Sequence, residues 1–438
     1  MLACILFLVM SNDMTYKEAR VYLDEVSKYG SVLSLDTIRN LLAELNNPQE
    51  DLHFIHIAGT NGKGSVLAYT STVLSEANYR VGRYVSPTVT TYLERIQVDE
   101  EMIPEATFAE LVEEVKEAIV RLTEDGGAHP TVFDIETAVA FLYFQKKSCD
   151  LVVLETGLGG LHDSTNVVKN TEVAAFASIS RDHMKFLGDT LEKIAREKAG
   201  IIKPGCSVVS GIQKPEVMEV LKQEAKRWNA PFSSVKKEEL QSGEHSLEGQ
   251  RFQYKGIDKI RLKMLGVVQP ENAATACEII YALQKRGYQI SKEALEKGLS
   301  KTVWKGRFTC IAQNPVVIID GAHNENAALR LKETLETYGE GRKVFGIMGV
   351  FRDKEYEKIA AYMGPLLEKV FTIDLPDPNR RLPAEELTEV MRPYCEAVTA
   401  YQVETALDLA RKEAGPNDVI LAFGSLSYLG QMIELAER

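Results

Sequence analysis

Cysteine is scarce and never paired in this chain, which leaves no spacing suited to a disulfide framework or a zinc site. Cys4, Cys149, Cys206, Cys277, Cys310 and Cys395 lie far apart, each in or beside an apolar run. Buried free thiols in a reducing cytosol are the expected reading. Positive charge is also short: 51 Lys and Arg against 63 Asp and Glu give a net charge of −12. That balance argues against a nucleic-acid partner, which needs a basic surface. It does not exclude a small anionic ligand, because a local site can oppose the global charge. No membrane partner is expected, since the apolar opening "MLACILFLVM" is too short to span a bilayer and has no positive n-region. A start codon read too early is the expected origin of residues 1–13, because "MTYKEARVYLDEVSKYG" from Met14 already reads as an amphipathic first helix. Short-period repeats and low-complexity tracts are missing too.

What is present is an alternation of helical and strand patterns. The strands are "HFIHIA", "YRVGRYVS", "CDLVVLE", "TEVAAFASIS" and "CSVVSG". Between them fall helical stretches such as 104–122, "TVFDIETAVAFLYFQKK" and "LEKIAREKAGIIKPG". Strands that are apolar on both faces and separated by helices predict a mostly parallel sheet covered on both sides. The pattern restarts with "PVVIIDGAHN", "RKVFGIMGV", "KVFTIDLP" and "DVILAFGS", which predicts a second, smaller α/β unit. Residues 233–263 read as a β-rich excursion without assigned chemistry. The predicted division is 14–301, a hinge at 302–306 around "KTVWKGRF", and 307–438.

Four constellations carry chemistry. In "GTNGKGS", Gly59, Gly62 and Gly64 permit a sharp turn that aims successive N–H groups at one concavity. Lys63 would meet phosphate oxygens, and Ser65 falls in the first turn of a helix, where the dipole favours anions. The stretch departs from the usual P-loop, because Gly64 stands between Lys63 and Ser65. In "DLVVLETGLGG", Glu155 ends an apolar strand, on the edge where open α/β sheets bind ligands, and it suits a magnesium site. His183, beside Asp182 after the strand "AAFASIS", is predicted on the same edge as Glu155. Lys198, near a helix end, reads by itself as a solvated lysine. In the second unit "IDGAHNENA" puts Asp320 at a strand end with His323 and Asn324 entering a helix, so two such edges would face each other across a cleft.

With these residues collected, the chain resembles the folylpolyglutamate synthase/dihydrofolate synthase family, within the ATP-dependent Mur ligase superfamily. The motifs are "GTNGKGS", "YVSP…YLERI", "ETGLGG…D.TN", "DH…FLGDTLEKIAREKAGIIKP", "QPENA", "W.GR", "DGAHN" and "GSL", and the resemblance runs from Met14 onward. It implies an α/β fold: a P-loop-type ATP-binding domain with a mostly parallel sheet, plus a smaller Rossmann-like C-terminal domain. It implies a monomeric, cytoplasmic ligase that uses ATP and Mg2+ to add L-glutamate to reduced folates, and extends to dihydropteroate. Gly59, Thr60, Asn61, Gly62, Lys63, Gly64 and Ser65 would hold ATP phosphates, and Asn272, Arg307 and Asp320 would contact the nucleotide. Ser65, Ser86, Glu155 and His183 would serve magnesium. His323 would lie by the incoming glutamate, and Lys198 matches a position that is carbamylated in the family. The pterin side is implied against Thr131, Val132, Phe133 and Asp134, and against His162, Asp163 and Ser164.

This chain departs from the family around the pterin pocket. It reads "GGLHDSTN" where "GGRLDATN" is frequent, and it has Thr88 after "SP", Asp134 after Phe133, Lys305 inside "W.GR" and Glu325 after "AHN". None of these removes a phosphate or metal residue. Two other readings stand beside the ligase: a Mur-type enzyme acting on a UDP-muramyl precursor, and a non-catalytic nucleotide-binding protein. The folate-type "EKAGIIKPG" and the missing third domain speak against the first, and the joint retention of Lys63, Glu155, His183 and Asp320 against the second.

Overall fold

Strand β1 (Phe54–Ala58) is buried along its whole length because its side chains enter two separate cores. Phe54 joins one core, while Ile55 and Ile57 join the other. Such a strand is central only in a sheet covered on both faces. The structure is a computed structural model describing residues 14–30, 34–339 and 341–437; residues 1–13, set aside at the sequence level, lie outside the described residues.

Seven further strands complete the first sheet: β2 (Val81–Tyr84), β3 (Ile96–Val98), β4 (Glu101–Met102), β5 (Leu151–Glu155), β6 (Thr171–Phe176), β7 (Ser207–Ser210) and β8 (Phe232–Ser234). Their order is β4-β3-β2-β5-β1-β6-β7-β8. All pairings are parallel except those of β3 with β2 and β4. One face is covered by helices Tyr16–Val26, Asp36–Glu44, Glu105–Glu124 and Val132–Lys146. The other is covered by helices Lys63–Glu76, Gln269–Lys285 and Lys292–Lys301. The excursion at 233–263 becomes an antiparallel sheet of β9 (Leu240–Ser246), β10 (Gly249–Tyr254) and β11 (Ile257–Leu262), whose Phe252 and Tyr254 seal that second core. The chain runs outward from β1 to β2 on one side, then crosses to β6 on the other. This switch point opens a crevice at the carboxyl end of β1.

The second unit holds β12 (Thr309–Ala312), β13 (Val316–Ile319), β14 (Val344–Met348), β15 (Lys369–Ile373), β16 (Glu396–Tyr401) and β17 (Val419–Phe423). They form a six-stranded sheet of order β12-β13-β17-β14-β15-β16, with β12 antiparallel to β13. The fold class is thus α/β with two mostly parallel sheets.

Some local expectations differ in detail. β6 stops at Phe176, and the following "ASIS" leaves the sheet so that Ser178 can bridge Asn61. The helix in "LEKIAREKAGIIKPG" ends at Ala199, because Gly200 caps it and Pro204 cannot continue it. Strands β3, β4, β12 and β16 escape a pattern search: they are short, or only half-buried, and give no continuous apolar run.

Candidate active site

Four strand ends of the first sheet meet at the switch point. β1 runs into the glycine turn, β2 leads to Ser86, β5 ends in Glu155, and β6 continues toward Ser178–His183; all line one cleft of about 380 Å3. The opposite wall carries Arg307, Asp320 and His323 from the second unit. Five basic side chains, Lys63, Lys198, Lys214, Arg307 and Arg330, line this cleft in an otherwise acidic chain.

The turn is held from beneath. Thr60 N and Asn61 N donate to Ser178 O at 2.8 and 3.2 Å, and Thr60 Oγ1 donates to Ser180 O at 2.9 Å. Thr60 therefore fixes the turn rather than offering a free hydroxyl. Gly62 caps the helix Lys63–Glu76 with φ of 89°, a left-handed conformation that glycine adopts without strain. A Cβ there would also lie 2.6 Å from Asn272 Oδ1, so the "QPENA" asparagine packs directly against the turn.

Charge on this edge is only partly balanced. Lys63 Nζ lies 3.5 Å from Glu155 Oε1, with both side chains largely buried. Burial raises the Glu155 carboxyl above the usual range, against the opposing pull of Lys63, Arg307 and the Ser86 N–H. Ser65 is fully buried, and its hydroxyl meets Gln269 Nε2 at 3.4 Å. Lys198 is not solvated: it is 4% exposed and donates to Gly59 O at 2.8 Å. Burial, with Lys63 adding to it, pushes its amine down to about 7.

His183 lines the cleft in a left-handed conformation (φ 48°), seven residues past the end of β6, with its side chain half-exposed. Asp182 accepts from Asn324 Nδ2 at 3.0 Å and Lys354 Nζ at 3.4 Å. Burial opposes its ionisation, but Lys354 and His183 outweigh it and hold the carboxyl below its ordinary value. Asn61 Nδ2 donates to Asn324 Oδ1 at 3.3 Å and Asn326 Oδ1 at 3.2 Å, so the glycine turn touches the second unit directly. Sequence reading missed Lys354 and Asn326, because nothing local marks a contact made across the cleft.

The second edge is more completely satisfied. Asp320 accepts from Phe308 N and Ala322 N, both at 2.8 Å, and burial raises its carboxyl despite Arg307 nearby. His323 Nδ1 meets Gly321 O at 2.8 Å, a contact that requires Nδ1 to carry the proton. Burial, reinforced by Lys354, pushes the imidazole down to about 4, leaving a neutral ring with Nε2 as its acceptor. Asn324 caps the helix Glu325–Tyr338 by accepting from Ala327 N.

The pterin-side residues do not line this cleft. Thr131 and Asp134 form a reciprocal capping box on the helix Val132–Lys146, and Ser164 Oγ donates to Asp134 Oδ1 at 2.6 Å. Asp163 accepts from Leu158 N at 2.7 Å and from Thr165, while exposed His162 lies 3.3 Å from Glu197. Val132 packs on the core, and the Phe133 ring packs where a Cβ on Gly157 would fall, beneath a residue that does line the cleft.

Glu155, a buried carboxylate, and the buried hydroxyl of Ser65 line the same cleft, and such oxygen donors suit a hard divalent ion. Magnesium takes few protein ligands and fills its shell with water and phosphate. No group of three or more metal-ligating His, Cys, Asp or Glu occurs among the described residues, so an all-protein cage is not on offer.

The Mur ligase middle domain matches residues 57–280, and the Mur ligase glutamate ligase domain matches residues 306–426. Fold and site together define an ATP-dependent ligase of the Mur type. The chain is 34% identical over 424 residues to a dihydrofolate synthase/folylpolyglutamate synthase of Bacillus subtilis, across 95% of this chain and 98% of that one. It superimposes on Mycobacterium tuberculosis folylpolyglutamate synthase complexed with ADP with a TM-score of 0.88 at 29% identity, over 97% of this chain and 99% of that one. For Escherichia coli FolC in complex with DHPP and ADP the TM-score is 0.84 at 27% identity, over 96% and 97%. The chain belongs to the folylpolyglutamate synthase/dihydrofolate synthase family. Neither the UDP-muramyl ligase nor the non-catalytic reading is favoured by these likenesses.

Proposed function

We propose that this ligase adds L-glutamate to a reduced folate, and also to dihydropteroate, through an acyl phosphate. The carrying observation is a single cleft in which Lys63, Glu155 and Lys198 face Asp320 and His323 from the other unit. A carboxylate is a poor electrophile, so the γ-phosphoryl of ATP is transferred to it first, and the glutamate amine then displaces phosphate. Lys63 and the N–H groups of the turn stabilise charge on the transferring phosphoryl group, so catalysis is mainly positioning and electrostatics. Asn272, Arg307 and Asp320, which line the cleft, would contact the nucleotide. Neutral His323, with Nε2 as acceptor, suits the arrival of a glutamate ammonium that must lose a proton before attack.

Glu155, Ser65, Ser86 and His183 would hold magnesium. When bound, the ion would offset charge on the phosphate oxygens. Lys198 is a buried amine poised near neutrality, and a neutral amine reacts with carbon dioxide. Carbamylation would turn it into an anion that supports magnesium. The pteroyl group would enter past Gly157 and Gly159, over the layer built by Phe133, Asp134 and Ser164. Residues 302–306 serve as the hinge between units 14–301 and 307–438, and closure excludes water from the acyl phosphate. The protein acts as a cytoplasmic monomer; no helix among the described residues is long and apolar enough to cross a membrane.

The test is ATP turnover with glutamate plus tetrahydrofolate or dihydropteroate, side by side. Phosphate release is expected only when ATP, glutamate and a pteroyl acceptor are all present. Release that needs neither acceptor would reject the reading.

A further inference from the structure

Gly64, the residue that separates this turn from the usual P-loop, has no backbone reason to be glycine. It lies one residue inside the helix Lys63–Glu76 and does not adopt positive φ. Alanine would be the better helix former there by about 1 kcal/mol. The reason is spatial. A Cβ on Gly64 would lie 2.9 Å from Trp304 Nε1, closer than packed atoms tolerate, with Cε2 in ordinary contact at 3.5 Å.

Trp304 comes from the linker between the units, yet it packs on the core of the first. Just beyond it the linker is tied to the second unit: Gly321 N donates to Gly306 O at 3.0 Å, and Arg307 Nη1 donates to the same oxygen at 2.9 Å. One short segment therefore touches the phosphate turn at one end and the Asp320 strand end at the other. We propose that Trp304 is a positioning residue. Its indole, seated on Gly64, sets the first helical turn that meets the nucleotide phosphates and transmits their presence to the linker. The inference rests on the nucleotide reading of this cleft, and its test separates the two.

In a full-length Trp228→Phe background, Trp304 is the sole indole of a chain that has two, and the replaced residue is an exposed one outside the cleft. Titration with ADP is followed by Trp304 emission and, independently, by calorimetry. The expected result is an emission change that saturates with the calorimetric affinity. Gly64→Ala and Trp304→Leu are each expected to weaken ADP binding about 10-fold or more, and the double variant to be no weaker than either single, a strongly non-additive cycle. Losses that simply add in the double variant, or normal binding by Gly64→Ala or by Trp304→Leu, would overturn the proposal. Should Gly64→Ala fail to fold, the Trp228→Phe protein still decides: calorimetric binding with unchanged Trp304 emission overturns the role of the indole. Absence of calorimetric binding would overturn the nucleotide reading and this inference with it.

Discussion

The two strand edges that face each other across the cleft are built on opposite principles. On the first edge, charged groups are buried but poorly matched: Lys63 and Glu155 stand 3.5 Å apart, and Lys198 spends its buried amine on one carbonyl. On the second, Asp320 accepts two backbone N–H groups, His323 is locked by Gly321 O, and Asn324 caps a helix. Unsatisfied buried charge costs stability and persists where a ligand will complete it, whereas satisfied polar groups define a rigid platform. The first edge is thus poised for an anionic partner, and the second for orienting what arrives. Substitutions should accordingly harm activity without loss of stability on the first edge, and stability together with activity on the second.

The largest effect is expected for Lys63→Ala, with kcat/KM falling on the order of 100-fold or more and an unchanged circular dichroism spectrum. Near-normal turnover would remove the functional half of the comparison.

Next comes Lys198→Met. Severe loss of activity is expected, and its stability should respond to pH in a particular direction. The folded-state amine sits at about 7 against an ordinary 10.5, so between those values the unfolded chain binds more protons and stability rises with pH. The penalty of burying the ammonium is fully present below about pH 7 and gone above about pH 10.5. In buffer free of carbon dioxide, Lys198→Met should be more stable than the parent, by up to several kcal/mol (roughly), near pH 6, with the gap closing near pH 10. Urea midpoints at both ends measure it, and a gap independent of pH would show that the amine is not desolvated.

On the second edge, Asp320→Ala strands the Phe308 and Ala322 N–H groups and should cost about 1–3 kcal/mol in denaturant unfolding. Loss of activity with full stability would mean that Asp320 belongs with the first edge instead. The smallest effect is expected at Thr131→Ala, which removes the capping-box hydroxyl and should cost about 1 kcal/mol. If pteroyl affinity drops far more than stability, the Thr131–Asp134 layer contacts substrate directly.

Much of this was legible in the chain. The glycine turn, Glu155 at a strand end and Asp320 at another follow from local pattern, because apolar strands, glycines and the ligand-binding edge of parallel sheets are short-range signals. What escaped depends on contacts between segments distant in sequence. Lys198 reads as a solvated helix lysine until the fold carries it under Gly59. The oddity of Gly64 has no explanation in its own heptapeptide and needs an indole supplied by the linker. Lys354 and Asn326 matter only because the units meet, at Asp182 and Asn61. Half-buried edge strands such as β12 and β16 lack the apolar run that betrays a central strand.

The most direct test of the central claim is the fate of oxygen. A tetrahydrofolate labelled with 18O in its glutamate carboxylates is turned over with ATP and L-glutamate, and the released phosphate is weighed by mass spectrometry. One labelled oxygen is expected in the phosphate for each glutamate added, because the carboxylate oxygen leaves with the phosphoryl group. Unlabelled phosphate accompanying genuine ligation would contradict it.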